Sequence, residues 1–161
     1  VLNNITVDDS NPSIRYSPLG AWNALDSAQN CSGCTAQPDA SNMLFGTWHD
    51  GTFNPTSGSN NYPNTPLFAN FTFNGSAVYV FCALAESTTH PDGNSDMAFY
   101  IDGQLVNSFV RPAPGINAYD YQFPVFSVSS LEPREHTLVL QNGYVNASKS
   151  LVLLDYIVYS Y

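Results

Sequence analysis

Trp48, His49 and Asp50 stand in a row, and Trp22 lies upstream of them. Indole faces stack on the apolar faces of sugar rings, and a neighbouring His or Asp can bind hydroxyls. Tyr62, Tyr119 and Tyr121 fall in long polar segments and offer further rings with one wet end. Trp48, His49, Asp50, Tyr62, Tyr119 and Tyr121 are therefore the candidate ligand-binding set. The competing reading is that Trp22 and Trp48 pack the ends of the fold, since aromatic rings bury more often than not. His49 and Asp50 also suggest a triad with a serine. No G-x-S-x-G turn occurs, and adjacent residues on a strand point to opposite faces. Glu132 and Glu135 share one turn, LEPREH, where both meet solvent instead of flanking a scissile bond. No catalytic residue is assigned.

Metal and sulfur chemistry come next. Asp8, Asp9 and Asp155 are a candidate oxygen set for calcium if the first and last strands are neighbours. The alternative is that Asp155 bonds backbone donors or a tyrosine. Cys31 and Cys34 form CSGC in a polar stretch, and Cys82 lies in the apolar run AVYVFCAL. A C-x-x-C can be a small-loop disulfide, a redox pair or half a metal site. The redox form needs a strand-to-helix setting, and zinc needs four ligands; neither is in view. The expectation is a Cys31–Cys34 bridge with Cys82 a buried thiol, a bridge through Cys82 being the competitor. No metal and no cofactor is assigned.

Composition narrows the partners. The formal net charge is −9, and the only cations are Arg15, Arg111, Arg134 and Lys149. Four scattered cations cannot neutralise a row of phosphates, so nucleic acid is not expected. Acidic surface is repelled by anionic headgroups, and no run of about 18 apolar residues exists, so membrane insertion of this segment is not expected. Sequons stand at Asn4, Asn30, Asn70, Asn74 and Asn146, where about three would arise by chance. They are candidate glycosylation sites and point to a secreted or cell-surface protein.

Strands must position these groups. Charged residues are 11% and aromatics 14% of the 161 residues, a balance that favours a compact β protein. Residues 97–110, MAFYIDGQLVNSFV, predict a hairpin closed by Asp102-Gly103, a pair that tolerates positive φ at both turn positions. Residues 69–73 and 77–84 predict a second hairpin through Asn74-Gly75. Further strands are read at 4–8, 14–16, 44–50, 123–128, 137–141 and 151–159. The polar segments 26–42 and 51–66 exceed what strand connection requires.

Several stretches also carry a resemblance: ITVDDSNPSIRYS, GTWHDGT, FTFNGSAVYVF, FYIDGQLVNSF, PVFSVSSLEPREHTLVL and SLVLLDYIVYSY. They resemble the ectodomains of a group of fungal single-pass membrane proteins and, more broadly, galactose-binding-like jelly-roll modules. The resemblance covers nearly the whole chain and implies an all-β, two-sheet antiparallel sandwich over residues 1–161 as a single domain. In such proteins a Ser/Thr/Pro-rich linker and a membrane helix usually follow. The family has no settled catalytic motif to carry over. The function expected is a non-catalytic carbohydrate-binding module for a neutral polysaccharide or glycan. The alternatives are an adhesive ectodomain with a protein partner and, more distantly, a wall-polysaccharide-active enzyme.

Overall fold

The computed structural model of the chain describes residues 1–28, 31, 33–56 and 62–161. They form eleven strands: β1 (Asn4–Asp8), β2 (Ile14–Ser17), β3 (Trp22–Asp26), β4 (Thr47–Phe53), β5 (Leu67–Gly75), β6 (Ala77–Ala85), β7 (Ser95–Ile101), β8 (Gln104–Arg111), β9 (Tyr119–Val128), β10 (Arg134–Asn142) and β11 (Ser150–Ser160). Two short 3-10 turns, Ala40–Asn42 and Leu44–Gly46, lead into β4. Every paired strand is antiparallel. One sheet runs β3-β4-β11-β6-β9 with β1 also on β11; the other runs β2-β5-β10-β7-β8. This is the two-sheet antiparallel jelly-roll sandwich expected from the chain.

Period-two alternation builds the core. In β5 the residues Leu67, Ala69, Phe71 and Phe73 are buried, and those between them are not. They meet Val78, Val80 and Cys82 of β6, Phe99 of β7, Leu138 and Leu140 of β10, and Val152 and Leu154 of β11. Each large side chain buried here contributes about 1.5 to 3 kcal/mol over leaving it exposed. Phe99 and Phe126 stack across the two sheets at 4.6 Å. A second, smaller cluster lies on the opposite face of the first sheet. It joins Leu25, Trp48, Ala83, Leu151 and Leu153 to Ala36 and Met43 from the segment that leads into β4.

The Asp102-Gly103 hairpin forms as expected, with φ of 52° and 81° at its two turn residues, and joins β7 to β8 at a sheet edge. The Asn74-Gly75 hairpin does not form. β5 and β6 belong to different sheets, so this stretch is a crossover between layers. Its glycine answers a different need: a Cβ at Gly75 would stand 2.3 Å from the carbonyl oxygen of Ser160. β4 also runs past residue 50 to Phe53, which is fully buried.

Strand β11 organises the functional surroundings. Its first half, Ser150 to Leu154, pairs with β4, and its second half, Tyr156 to Ser160, pairs with β1. Asp155 sits at the seam, where the register with β6 also shifts. The end of β1 and the start of β4 are thereby brought against one carboxylate.

Candidate functional site

Strand alternation sends His49 and Asp50 apart. His49 faces the inter-sheet side, where its Nδ1 lies 2.6 Å from Asp9 Oδ2 and its ring stacks on Tyr16 at 3.7 Å. Tyr16 donates its hydroxyl to the Asp9 carbonyl at 2.7 Å. His49 is thus held in a structural contact and does not join a ligand set with its neighbour.

Asp50 points the other way, between cross-strand partners Asn23 of β3 and Leu153 of β11. Only 5% of it is exposed, and it has no hydrogen-bond partner among the described residues. Burial pushes its carboxyl up to about 6, with the Lys149 ammonium opposing the shift. A largely buried carboxylate needs donors from the protein, from water or from a ligand. This one opens into a cavity of about 290 Å³, whose polar lining comprises Asn23, Thr52, Asn54, Asp92 and Lys149 beside Asp50. The chain between β3 and β4 walls one side with Gly33, Cys34, Thr35 and Ala36.

Local bonding fixes both walls. Cys31 and Cys34 are bridged, as expected, and Cys82 is a free buried thiol whose pKa burial raises. Gln37 Nε2 donates to the carbonyls of Cys31 and Cys34, so the disulfide loop is tied at its base. Across the cavity, Asn94 Nδ2 donates to the Lys149 carbonyl at 2.7 Å, and Leu151 N–H donates to the Asn94 carbonyl at 2.9 Å. Asp92 accepts from Asn94 N–H at 3.1 Å. The loop after β6 and the start of β11 are clamped together, which places Asp92 and Lys149 on one rim.

The aromatic part of the expected set is corrected. Trp48 is only 6% exposed and lies in the smaller apolar cluster under Ala36 and Met43, so its face is not offered to a ligand. Trp22 is likewise buried, its Nε1 donating to the Ser17 carbonyl. The Tyr119 and Tyr121 hydroxyls accept from the backbone N–H groups of Gln37 and Asp39. They pin the segment that covers Trp48. The Tyr62 hydroxyl donates to the Leu19 carbonyl, away from the cavity. Of the six expected residues only Asp50 lines the cavity. The cavity also gathers Asn23, Thr52, Asn54, Asp92 and Lys149, which lie outside the candidate set. Alternation around Asp50 signals Thr52, but no local pattern signals the others.

Asp8, Asp9 and Asp155 do gather at the β11 seam. Thr47 Oγ1 stands 2.9 Å from Asp8 Oδ2 and 2.6 Å from Asp9 Oδ1, while Leu44 N–H donates to Asp155 Oδ1 at 2.8 Å. Asp8 Oδ1 and Asp155 Oδ2 are buried without a donor among the described residues. Burial raises the Asp9 carboxyl and holds that of Asp155 at about 6. Asp8 Oδ2 also accepts from the Ser10 N–H and hydroxyl, and Asp9 Oδ2 pairs with His49, so the shortage of donors is confined to Asp8 Oδ1 and Asp155 Oδ2. An all-oxygen set of this kind suits a hard cation. Among the described residues no group of three or more His, Cys, Asp or Glu side chains is placed to hold a metal ion by itself.

Of the sequons, Asn4, Asn74 and Asn146 are exposed and Asn70 is half-buried; Asn30 lies outside the described residues. Among the described residues no helix is long and apolar enough to cross a membrane.

No family model matches the chain, and no curated protein matches it. Solved structures do. A family 35 carbohydrate-binding module from Clostridium thermocellum is similar at 11% identity and a TM-score of 0.52, over 97% of this chain and 96% of that one. The Agl-KA catalytic domain gives 12% identity and 0.55 over 97% of this chain. An exo-β-1,3-galactanase from Phanerochaete chrysosporium, solved with β-1,3-galactotriose, gives 14% and 0.52 over 98%. The chain spans 27% and 29% of these two longer structures. At such identities the likeness is one of fold.

Proposed function

We propose that this chain is a non-catalytic carbohydrate-binding module, acting outside the cell, and that its sugar site is the cavity around Asp50. The observation that carries the reading is a largely buried carboxylate, not hydrogen-bonded to any described residue, facing a cavity lined by amides, hydroxyls, a second carboxylate and one ammonium. A sugar supplies what is missing. Its hydroxyls donate to Asp50 and Asp92 and accept from Lys149, Asn23 and Asn54. Mixed charge in the lining favours a neutral ligand over an anionic one. At about 290 Å³ the cavity is at the small end for ligand sites, enough for roughly one or two sugar rings. The similar modules and glycanases support the ligand class. Glycans on the exposed sequons Asn4, Asn74 and Asn146 belong to the same reading.

Titration with neutral mono- and oligosaccharides, followed by calorimetry and amide chemical shifts, tests it. Affinity in the millimolar to high-micromolar range is expected, about 4 to 6 kcal/mol. Asp50→Asn should lower it about tenfold or more, because a charge-assisted acceptor is worth roughly 1.5 to 3 kcal/mol. Unchanged affinity in Asp50→Asn would place the site elsewhere. Binding of no sugar at all would give first place to an adhesive ectodomain with a protein partner.

A second reading concerns the seam. The orphaned oxygens of Asp8 and Asp155 favour a structural calcium there, held by these two with Asp9 and Thr47. Bound, it would supply the positive charge that the cluster lacks. Millimolar calcium should raise the melting midpoint of the wild type and not of Asp155→Asn. An equal response in both would remove the seam as its site.

A further inference from the structure

On the same face of the β3-β4-β11-β6-β9 sheet, beyond the segment that covers Trp48, lies a groove of about 400 Å³. Phe45 stands at its rim, 81% exposed, at the tip of the turn before β4. Its φ is 53°, the left-handed region that bulky side chains rarely adopt. Glycine or asparagine would sit there with less strain. The turn beneath it is anchored by Leu44 N–H to Asp155 and by Gly46 N–H to the Met43 carbonyl. An apolar ring is thus held in water on a rigid base, in a backbone conformation that disfavours it. Packing does not explain the ring, whereas a contact partner would.

The floor supplies a second ring. Tyr156 lines the groove and stacks on Phe81 at 4.6 Å and 18°, which fixes its orientation. Around the two rings the polar groups are the hydroxyls of Thr6, Ser41 and Tyr156 and the amides of Asn42 and Gln122. No charged side chain lines the groove, although the chain carries a net charge of −9. Aromatic faces rimmed by hydroxyls and amides suit a ligand with apolar ring faces, hydroxyl edges and no charge.

We infer that the Phe45–Tyr156 groove is a second carbohydrate-binding site for a neutral glycan chain, separate from the Asp50 cavity. It shares the ligand class of the proposed function but none of its residues. The segment between β3 and β4 walls both sites, with residues 33–36 at the cavity and residues 41–45 at the groove. A long chain engaging both would gain affinity by linkage, whereas a short sugar would not.

The test uses the whole chain with soluble β-1,3-galactan and β-1,3-glucan in affinity electrophoresis, and galactose and glucose in shift titrations. Phe45→Gly, which also relieves the backbone, should keep or raise the melting midpoint and weaken polymer binding at least tenfold. Phe45→Trp should retain it. Monosaccharide shifts around Asp50 should be the same in Phe45→Gly as in the wild type. Polymer retention by Phe45→Gly within twofold of the wild type overturns the inference, as does failure of the wild type to bind either polymer. The cavity is tested apart from this: polymer retention by Asp50→Asn that is then lost in Asp50→Asn/Phe45→Gly would sink the cavity and leave the groove standing.

Discussion

His49 and Asp50 are consecutive residues of one strand, yet their surroundings differ in kind. His49 has an acidic partner at 2.6 Å and an aromatic ring stacked at 3.7 Å. Asp50 is more deeply buried than its neighbour and has no donor among the described residues. On the first side Asp9 and Tyr16 engage the imidazole, so the arrangement ties the end of β1, β2 and β4 together. On the second side the carboxylate faces a cavity, where water or the proposed sugar can donate to it. Burial alone does not separate a structural acid from a binding one; the state of its partners does.

Three changes probe that contrast, beginning with the largest. Trp48→Ala should destabilise the protein by about 3 to 5 kcal/mol, as loss of a core aromatic does. Chemical denaturation measures this. A stable variant that merely loses sugar affinity would restore Trp48 as a ligand contact. Asp9→Ala strips the half-buried His49 of its carboxylate while Thr47 keeps that of Asp8, at a cost of roughly 1 to 3 kcal/mol. Sugar binding at Asp50 should survive wherever the variant is folded. Parallel loss of both properties would mean that the two sides of β4 are coupled.

The smallest effect is a pH dependence. Burial holds the Asp50 and Asp155 carboxyls at about 6, above the value of about 3.9 in an unfolded chain. Their folded forms prefer the proton. The stability they contribute is complete below about pH 4 and is lost as pH rises through 6. The melting midpoint should therefore climb from pH 7.5 to pH 5. In Asp50→Asn the climb should be shallower and the midpoint at pH 7.5 higher, by roughly 1 to 2 kcal/mol of stability. Asp102 works in the opposite sense, since the Thr137 N–H and then His136 hold its carboxyl down to about 2. Its contribution is lost only as pH falls below about 4. A midpoint that is flat or falls on acidification to pH 5 would contradict the burial assigned to Asp50 and Asp155.

Local rules made much of this legible from the chain. Composition and the regular spacing of strands pointed to a β protein, and the resemblance to galactose-binding-like modules implied the two-sheet sandwich. Asp102-Gly103 announced its turn because few pairs accept positive φ twice. Close spacing in a polar stretch marked Cys31 and Cys34, and the two-residue period of a strand already sent His49 and Asp50 to opposite faces. Long-range packing settled the rest. Asn74-Gly75 carries the same turn signal as Asp102-Gly103 but crosses between sheets, because strand partners are chosen by the core and not by the turn. Trp48 reads as a platform until Tyr119 and Tyr121, far along the chain, hold a covering segment over it. Asn23, Asp92 and Lys149 meet around Asp50 only because β3, the loop after β6 and the start of β11 converge at one end of β4. A cavity of this kind is a property of strand order, since no single stretch contains more than four of its lining residues.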